Sequence, residues 1–290
     1  MLGERRREVD GVELYTIEAG PDDGPLVICL HGFPEFSYGW RHQIGPLVAA
    51  GFRVVLPDGR GYGRSGKPEG VDAYRLSRLG GDVVALAHAC GHDRFHLVGH
   101  DWGGIVAWWV AAKHPDRVDR LAVINAPHPD VLWPYIRRHP GQLLRSWYVA
   151  LFQVPGLPER LLAARDFAAL RRILRGTSRP GTFSDDDLDL YRSAWSEPGA
   201  LAGMLNWYRA LIRKPGKPVG PVECPTRILW GERDPALSPG LADESLKLCR
   251  DGDIVWFENA THWLPHEEPE AVAADLVRFL GDEASGRPLG

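Results

Sequence analysis

The chain has 290 residues, with 34 basic and 38 acidic side chains, for a net charge of −4. With 44% of its residues apolar and 25% charged it can bury a core, which excludes a disordered chain. Its basic residues are dispersed, which argues against a nucleic-acid surface, and no run of about 18 apolar residues is present to span a membrane.

Residues 1–10 are charged and lack the apolar stretch of a secretory signal. Asp10-Gly11 then separates two extended runs, 5–9 and 12–19, and predicts a hairpin. The apolar run 26–30, without helical period, predicts a buried strand that ends at His31-Gly32. A helix is expected over 40–50, a strand over 52–57, and then a loop holding Gly59, Gly61, Gly63 and Gly66. A helix over 75–90, a strand over 95–98, a sharp turn at 99–103, a helix over 104–113 and a strand over 121–125 complete this half. The alternation predicts a mostly parallel, twisted α/β sheet flanked by helices.

From about 129 the rhythm stops. Helical patterns at 142–152, 159–175, 185–195 and 200–212 replace it, with Ser184 as a candidate cap for the third. Three consecutive carboxylates, Asp185 to Asp187, point in different directions on a helix, so they predict a dipole-facing first turn and not a metal site. The Pro- and Gly-rich stretch 214–221 reads as a linker. Strands at 227–230 and 254–257 and helices at 241–248 and 269–280 then resume the first rhythm. The expected organisation is therefore one α/β domain in two halves, 1–128 and 219–290, interrupted by a helical insert over 129–218. Four widely spaced cysteines, Cys29, Cys90, Cys224 and Cys249, fit free thiols in a reducing, cytoplasmic setting.

Gly99-His100-Asp101-Trp102-Gly103 lies between a predicted strand and a predicted helix. That is the spacing of a nucleophile elbow, G-x-S-x-G, with Asp101 in place of serine. Asp234 and His262 each follow a predicted strand, and loops after parallel strands gather at one edge of the sheet, where sites form. Glu232 competes with Asp234 as the acid, and Asp234 is preferred because it lies deeper in its loop, just before Pro235. The loop after the preceding core strand carries Asn125, not a carboxylate. His31-Gly32-Phe33-Pro34-Glu35 also follows a strand, and the backbone N–H groups of Phe33 and Trp102 are candidates for an oxyanion hole.

His31–Glu35, Gly59-Arg-Gly-Tyr-Gly-Arg-Ser65, the 99–104 elbow and His262-Trp263 resemble the α/β-hydrolase-fold epoxide hydrolases, over nearly the whole chain. The resemblance implies the α/β-hydrolase fold, with the insert as a helical cap, no cofactor and no metal. It implies a catalytic set of Asp101, Asp234 and His262, with two cap tyrosines holding the epoxide oxygen. Asn206-Trp207-Tyr208-Arg209 matches the motif of the second tyrosine. For the first, one alignment gives Tyr148, after Ser146-Trp147, and another gives Leu151; Tyr148 is preferred. Trp102, Phe33 and Trp263 are the candidate substrate-contacting residues, and the eleven tryptophans fit an aromatic, apolar pocket.

An aspartate nucleophile narrows the chemistry. A carboxylate attacking a carbonyl gives a labile anhydride, whereas displacement at a saturated carbon gives an alkyl ester. Epoxides and organohalides are the two matching classes, and a small hydrophobic epoxide with water is the expected pair of reactants. Haloalkane dehalogenases often carry Asn where Phe33 stands, and fluoroacetate dehalogenases carry Arg where Trp102 stands, so the epoxide is preferred. A non-catalytic binding protein on the same fold would have no need of the three polar residues together. Oligomeric state is left open, a homo-oligomer included.

Overall fold

The computed structural model describes residues 2–282. Its centre is one eight-stranded sheet in the order β1-β2-β4-β3-β5-β6-β7-β8. The hairpin at Asp10-Gly11 joins β1 (Gly3–Val9) to β2 (Val12–Ala19), and β2 runs antiparallel to both β1 and β4. The remaining strands, β3 (Leu26–Leu30), β4 (Arg53–Pro57), β5 (Phe95–His100), β6 (Val118–Ile124), β7 (Thr226–Gly231) and β8 (Gly252–Phe257), are parallel. The sheet is thus mostly parallel, as the alternating pattern implied.

The period-two geometry of the strands divides the core between two faces. Leu26, Ile28 and Leu30 point into one apolar cluster together with α2 (Leu76–Ala89) and α3 (Trp102–Lys113). Val27 and Cys29 point the other way, into a cluster with α1 (Ile44–Ala49) and with residues 272–280 near the C-terminus. Both faces being covered explains why β3 reads as an unbroken apolar run. The four cysteines are free.

Six helices occupy the chain between β6 and β7: α4 (Pro129–Arg138), α5 (Pro140–Arg145), α6 (Trp147–Phe152), α7 (Leu157–Thr177), α8 (Asp185–Ser196) and α9 (Ala200–Arg213). After them come α10 (Gly240–Leu246), α11 (Leu264–Glu267) and α12 (Pro269–Gly281). Among the described residues no helix is long and apolar enough to cross a membrane.

Three helical expectations need correction. The helix expected over 40–50 is a 3-10 turn at Ser37–Trp40 followed by the shorter α1. The single helix expected over 142–152 is two, broken at Ser146, whose hydroxyl takes a hydrogen bond from the Gln142 amide. The span 159–175 falls within α7 but is interrupted at 164–167, where Arg165, Asp166 and Phe167 have φ of 54°, 56° and 58°. No proline or glycine marks that break. It turns the half-buried Phe167 onto Trp195 of α8, with ring centroids 6.0 Å apart, so tertiary packing overrides good local helix formers. Helix α4 was not among the expected helices, although His128 accepts from the Asp130 N–H and Pro129 stands at its first position, a start signal present in the sequence.

Candidate active site

The loops after β3, β5, β7 and β8 meet at the C-terminal edge of the sheet. β5 ends at His100 and α3 starts at Trp102, so Asp101 alone turns the chain, with φ 51° and ψ −120°. This is a conformation that non-glycine residues rarely adopt. It closes because glycines stand at the crowded positions around it. A Cβ on Gly103 would stand 2.1 Å from the Leu30 carbonyl oxygen, and one on Gly32 would stand 2.4 Å from Cβ of Asp101. That close approach lets the Phe33 N–H donate to Asp101 Oδ1 at 2.8 Å. Trp102 heads α3, where the first N–H groups lack intrahelical acceptors.

Beyond β7, Asp234 is fully buried, whereas Glu232 faces solvent. Asp234 Oδ1 accepts from the N–H groups of Ala236 and Leu237, at 2.7 and 2.9 Å. Its Oδ2 accepts from the Asn125 amide at 2.8 Å and lies 2.7 Å from Nδ1 of His262. The opposite ring atom, Nε2, stands 3.4 Å from Asp101 Oδ2. Burial opposes charge on both His262 and Asp234, but their mutual attraction and hydrogen bonding prevail. The Asp234 carboxyl is held below its ordinary pKa, and the His262 imidazole, with Asp101 adding to the effect, well above its own.

Phenols come from the helical insert. Tyr208 on α9 and Tyr148 on α6 have ring centroids 6.0 Å apart, and Tyr208 packs edge-on against Trp102 and Phe33 at 4.9 and 5.3 Å. Burial raises both phenol pKa values, and the negative charge of Asp101 raises them further, so both hydroxyls stay protonated in its field. Trp207 ties α9 to the glycine loop by donating from its indole to the Arg60 carbonyl at 2.9 Å. Trp263 packs on the His262 ring at 5.1 Å and donates to the Thr177 hydroxyl of α7. Asp101, Asp234, His262, Phe33, Trp102, Trp263, Tyr208 and Tyr148 are therefore linked by a continuous set of contacts, whereas Glu232 stands outside it.

Other polar residues take part that sequence reasoning missed. Asn125 was read only as the absence of an acid; its Oδ1 accepts from Gly231 N–H while its amide holds Asp234. A polar residue closing a buried strand was the available signal. Below the elbow, Glu35 is fully buried, with His100 Nδ1 at 3.0 Å, His266 Nε2 at 2.7 Å and the Tyr191 hydroxyl donating at 2.7 Å. His100 Nε2 in turn lies 2.8 Å from the His262 carbonyl oxygen. Glu35 and His100 stood inside recognised motifs, whereas His266 and Tyr191 had no sequence signal linking them. Asp187, in the acidic run, completes a capping box with Ser184 and accepts from Tyr38. Among the described residues no cluster suited to a metal ion is present.

A model of the α/β hydrolase fold matches residues 25–269. The chain is 42% identical to the AB hydrolase superfamily protein YfhM of Bacillus subtilis, over 94% of this chain and 96% of that one. It is 36% identical to epoxide hydrolase 4 of Mus musculus, over 94% of this chain and 77% of the relative. The crystal structure of epoxide hydrolase A from Mycobacterium thermoresistibile superposes with a TM-score of 0.87 at 31% identity, covering 97% of this chain and 98% of that one.

Proposed function

Because the chain belongs to the α/β-hydrolase-fold epoxide hydrolases, we propose that it converts a small hydrophobic epoxide and water into a vicinal diol through an alkyl ester on Asp101. The observation that carries this reading is that His262 Nε2 stands 3.4 Å from Asp101 Oδ2 while Tyr208 packs on Trp102 and Phe33, beside that carboxylate, and Tyr148 packs on Tyr208. With Oδ1 held by the Phe33 N–H, Oδ2 is the oxygen that attacks a ring carbon. As the carbon–oxygen bond of the ring breaks, the alkoxide takes a proton from Tyr208 or Tyr148.

Esterification removes the negative charge of Asp101, one of the two charges that favour protonated His262. The imidazole becomes neutral more readily at the stage where a base is needed. It takes a proton from water, which attacks the ester carbonyl carbon, while Asp234 stabilises the imidazolium. The N–H groups of Phe33 and Trp102 receive the oxyanion. Collapse expels the diol, which takes its proton from His262; one solvent oxygen stays on Asp101, and the proton it brought returns to the phenolate, restoring the carboxylate and the phenol. Residues 129–218 act as a cap that supplies the phenols, and Trp102, Phe33 and Trp263 form the apolar wall. The catalytic set lies within one chain, so the reading needs no second copy. We place the protein in the cytoplasm, a placement supported by its four unpaired cysteines.

A single turnover in heavy-oxygen water with enzyme in excess tests this reading. Unlabelled diol, with one heavy oxygen in the peptide containing Asp101, is expected. Label wholly in the first diol, with an unlabelled peptide, would leave Asp101 as a general base for direct attack by water. Halide release from a haloalkane without turnover of a styrene-oxide-like substrate would turn the reading toward dehalogenation.

A further inference from the structure

Twelve large apolar side chains are exposed among the described residues, and seven of them fall between residues 133 and 161. That is about a tenth of the chain, so the exposed apolar residues are concentrated in one run of consecutive helices and not scattered along the sequence. Trp133 lies on α4, Leu143 and Leu144 on α5, Trp147 on α6, and Leu157 and Leu161 on α7. Leu144 is 78% exposed and Trp147 65% exposed, values that leave most of each side chain in water. These are consecutive helices, α5 packing on α4 and α7 on α6.

The charge of the same segment is opposite in sign to that of the chain. Residues 129–165 contain five arginines and two carboxylates, for +3, in a protein of net charge −4. Both carboxylates are engaged inward. Asp130 accepts from the Val219 and Gly220 N–H groups, and Glu159 pairs with the buried Arg209. Arg137, Arg160 and Arg165 are exposed and, among the described residues, have no carboxylate partner. Exposed leucine and tryptophan interspersed along the same helices with unpaired arginine is the chemistry of an interfacial surface, with apolar groups entering the acyl boundary and guanidinium groups meeting phosphate. A second copy meeting this face with the same face would bring like charges together.

We propose that helices α4–α7 dock on a phospholipid surface carrying anionic headgroups. The surface lies beside the site, since α6 carries exposed Trp147 and, next to it, Tyr148 packed on Tyr208. The proposal stands on the surface alone and holds whatever the reaction.

Co-sedimentation of the full chain with vesicles tests it, comparing phosphatidylcholine alone with phosphatidylcholine containing roughly one third phosphatidylglycerol. Binding to the anionic vesicles should exceed binding to the neutral ones about tenfold at low salt and weaken as salt is added. The double variant Leu143→Ser/Leu144→Ser and the charge variant Arg137→Gln/Arg160→Gln should each weaken it about tenfold, while turnover of a water-soluble epoxide stays at the parent rate. Equal binding to both vesicle types, or variants that bind as the parent does, would overturn the proposal. So would a dimer in sedimentation equilibrium that dissociates on Leu143→Ser/Leu144→Ser while no vesicles are bound, because a second copy would then be the occupant.

Discussion

Two helices of the insert, α6 and α9, each bring one phenol into the field of the Asp101 carboxylate. Their raised pKa values mean that neither hydroxyl ionises at neutral pH, so each can donate to a developing alkoxide. Tyr208 is the more deeply enclosed, packed by Trp102, Phe33, Phe152 and Tyr148. Replacing either phenol by phenylalanine removes one oxygen and leaves that packing. Tyr208→Phe and Tyr148→Phe should each slow ester formation about tenfold or more in rapid-mixing kinetics, with an unchanged melting temperature. Parent rates in both variants would exclude a role for the phenols in ring opening.

At the scale of elements, the insert is held by devices that differ in how visible they are. The start of α8 is set locally. The Ser184 hydroxyl accepts from Asp187 N–H while the Asp187 carboxylate accepts from Ser184 N–H, and the acidic first turn faces the positive end of the helix. Ser184→Ala should therefore lower stability by about 1 kcal/mol in urea unfolding, without changing kcat, since the Ser184 side chain bonds to Asp187 within the cap. A change within the error of the measurement would mean that α8 is held by its packing alone. The placement of α9 is set at long range. A Cβ on Gly203 would come within 2.5 Å of the Gly61 carbonyl oxygen, so only glycine lets the helix approach the loop after β4.

For the whole molecule, Glu35 joins four distant segments: the loop after β3, the end of β5 through His100, α11 through His266, and α8 through Tyr191. Burial alone would raise its pKa, and His266 and His100 hold it well below the ordinary value of 4.5. The sign follows from linkage. A group with a lowered folded pKa adds stability that is present above the unfolded value and is lost as pH falls toward the folded one. Glu35→Gln should cost about 3 kcal/mol at pH 7, since it leaves buried partners without their carboxylate. The gap between parent and variant should then narrow as pH falls from 4.5 toward the folded pKa, with a limiting slope of about 1.4 kcal/mol per pH unit. Thermal melts from neutral to acidic pH check this, and a gap that stays constant would refute the assignment.

The alternating strands and helices and the glycine elbow around Asp101 were legible in the chain because they depend on neighbours a few residues apart, and Asp234 and His262 were legible because each directly follows such a strand. Local periodicity fixes a buried strand, and a missing side chain fixes a tight turn. The choice of Asp234 over Glu232 was reasoned from loop position, and the burial of the one and the exposure of the other agree with it. Only the tertiary structure decided the break in α7, the hydrogen bonds from Asn125 to Asp234, the meeting of Tyr148 with Tyr208, and the four-way pairing of Glu35. These join residues as many as 231 positions apart. No local propensity encodes such a pairing; it exists because the loops at the sheet edge, and the insert packed on them, leave each buried polar group only those partners.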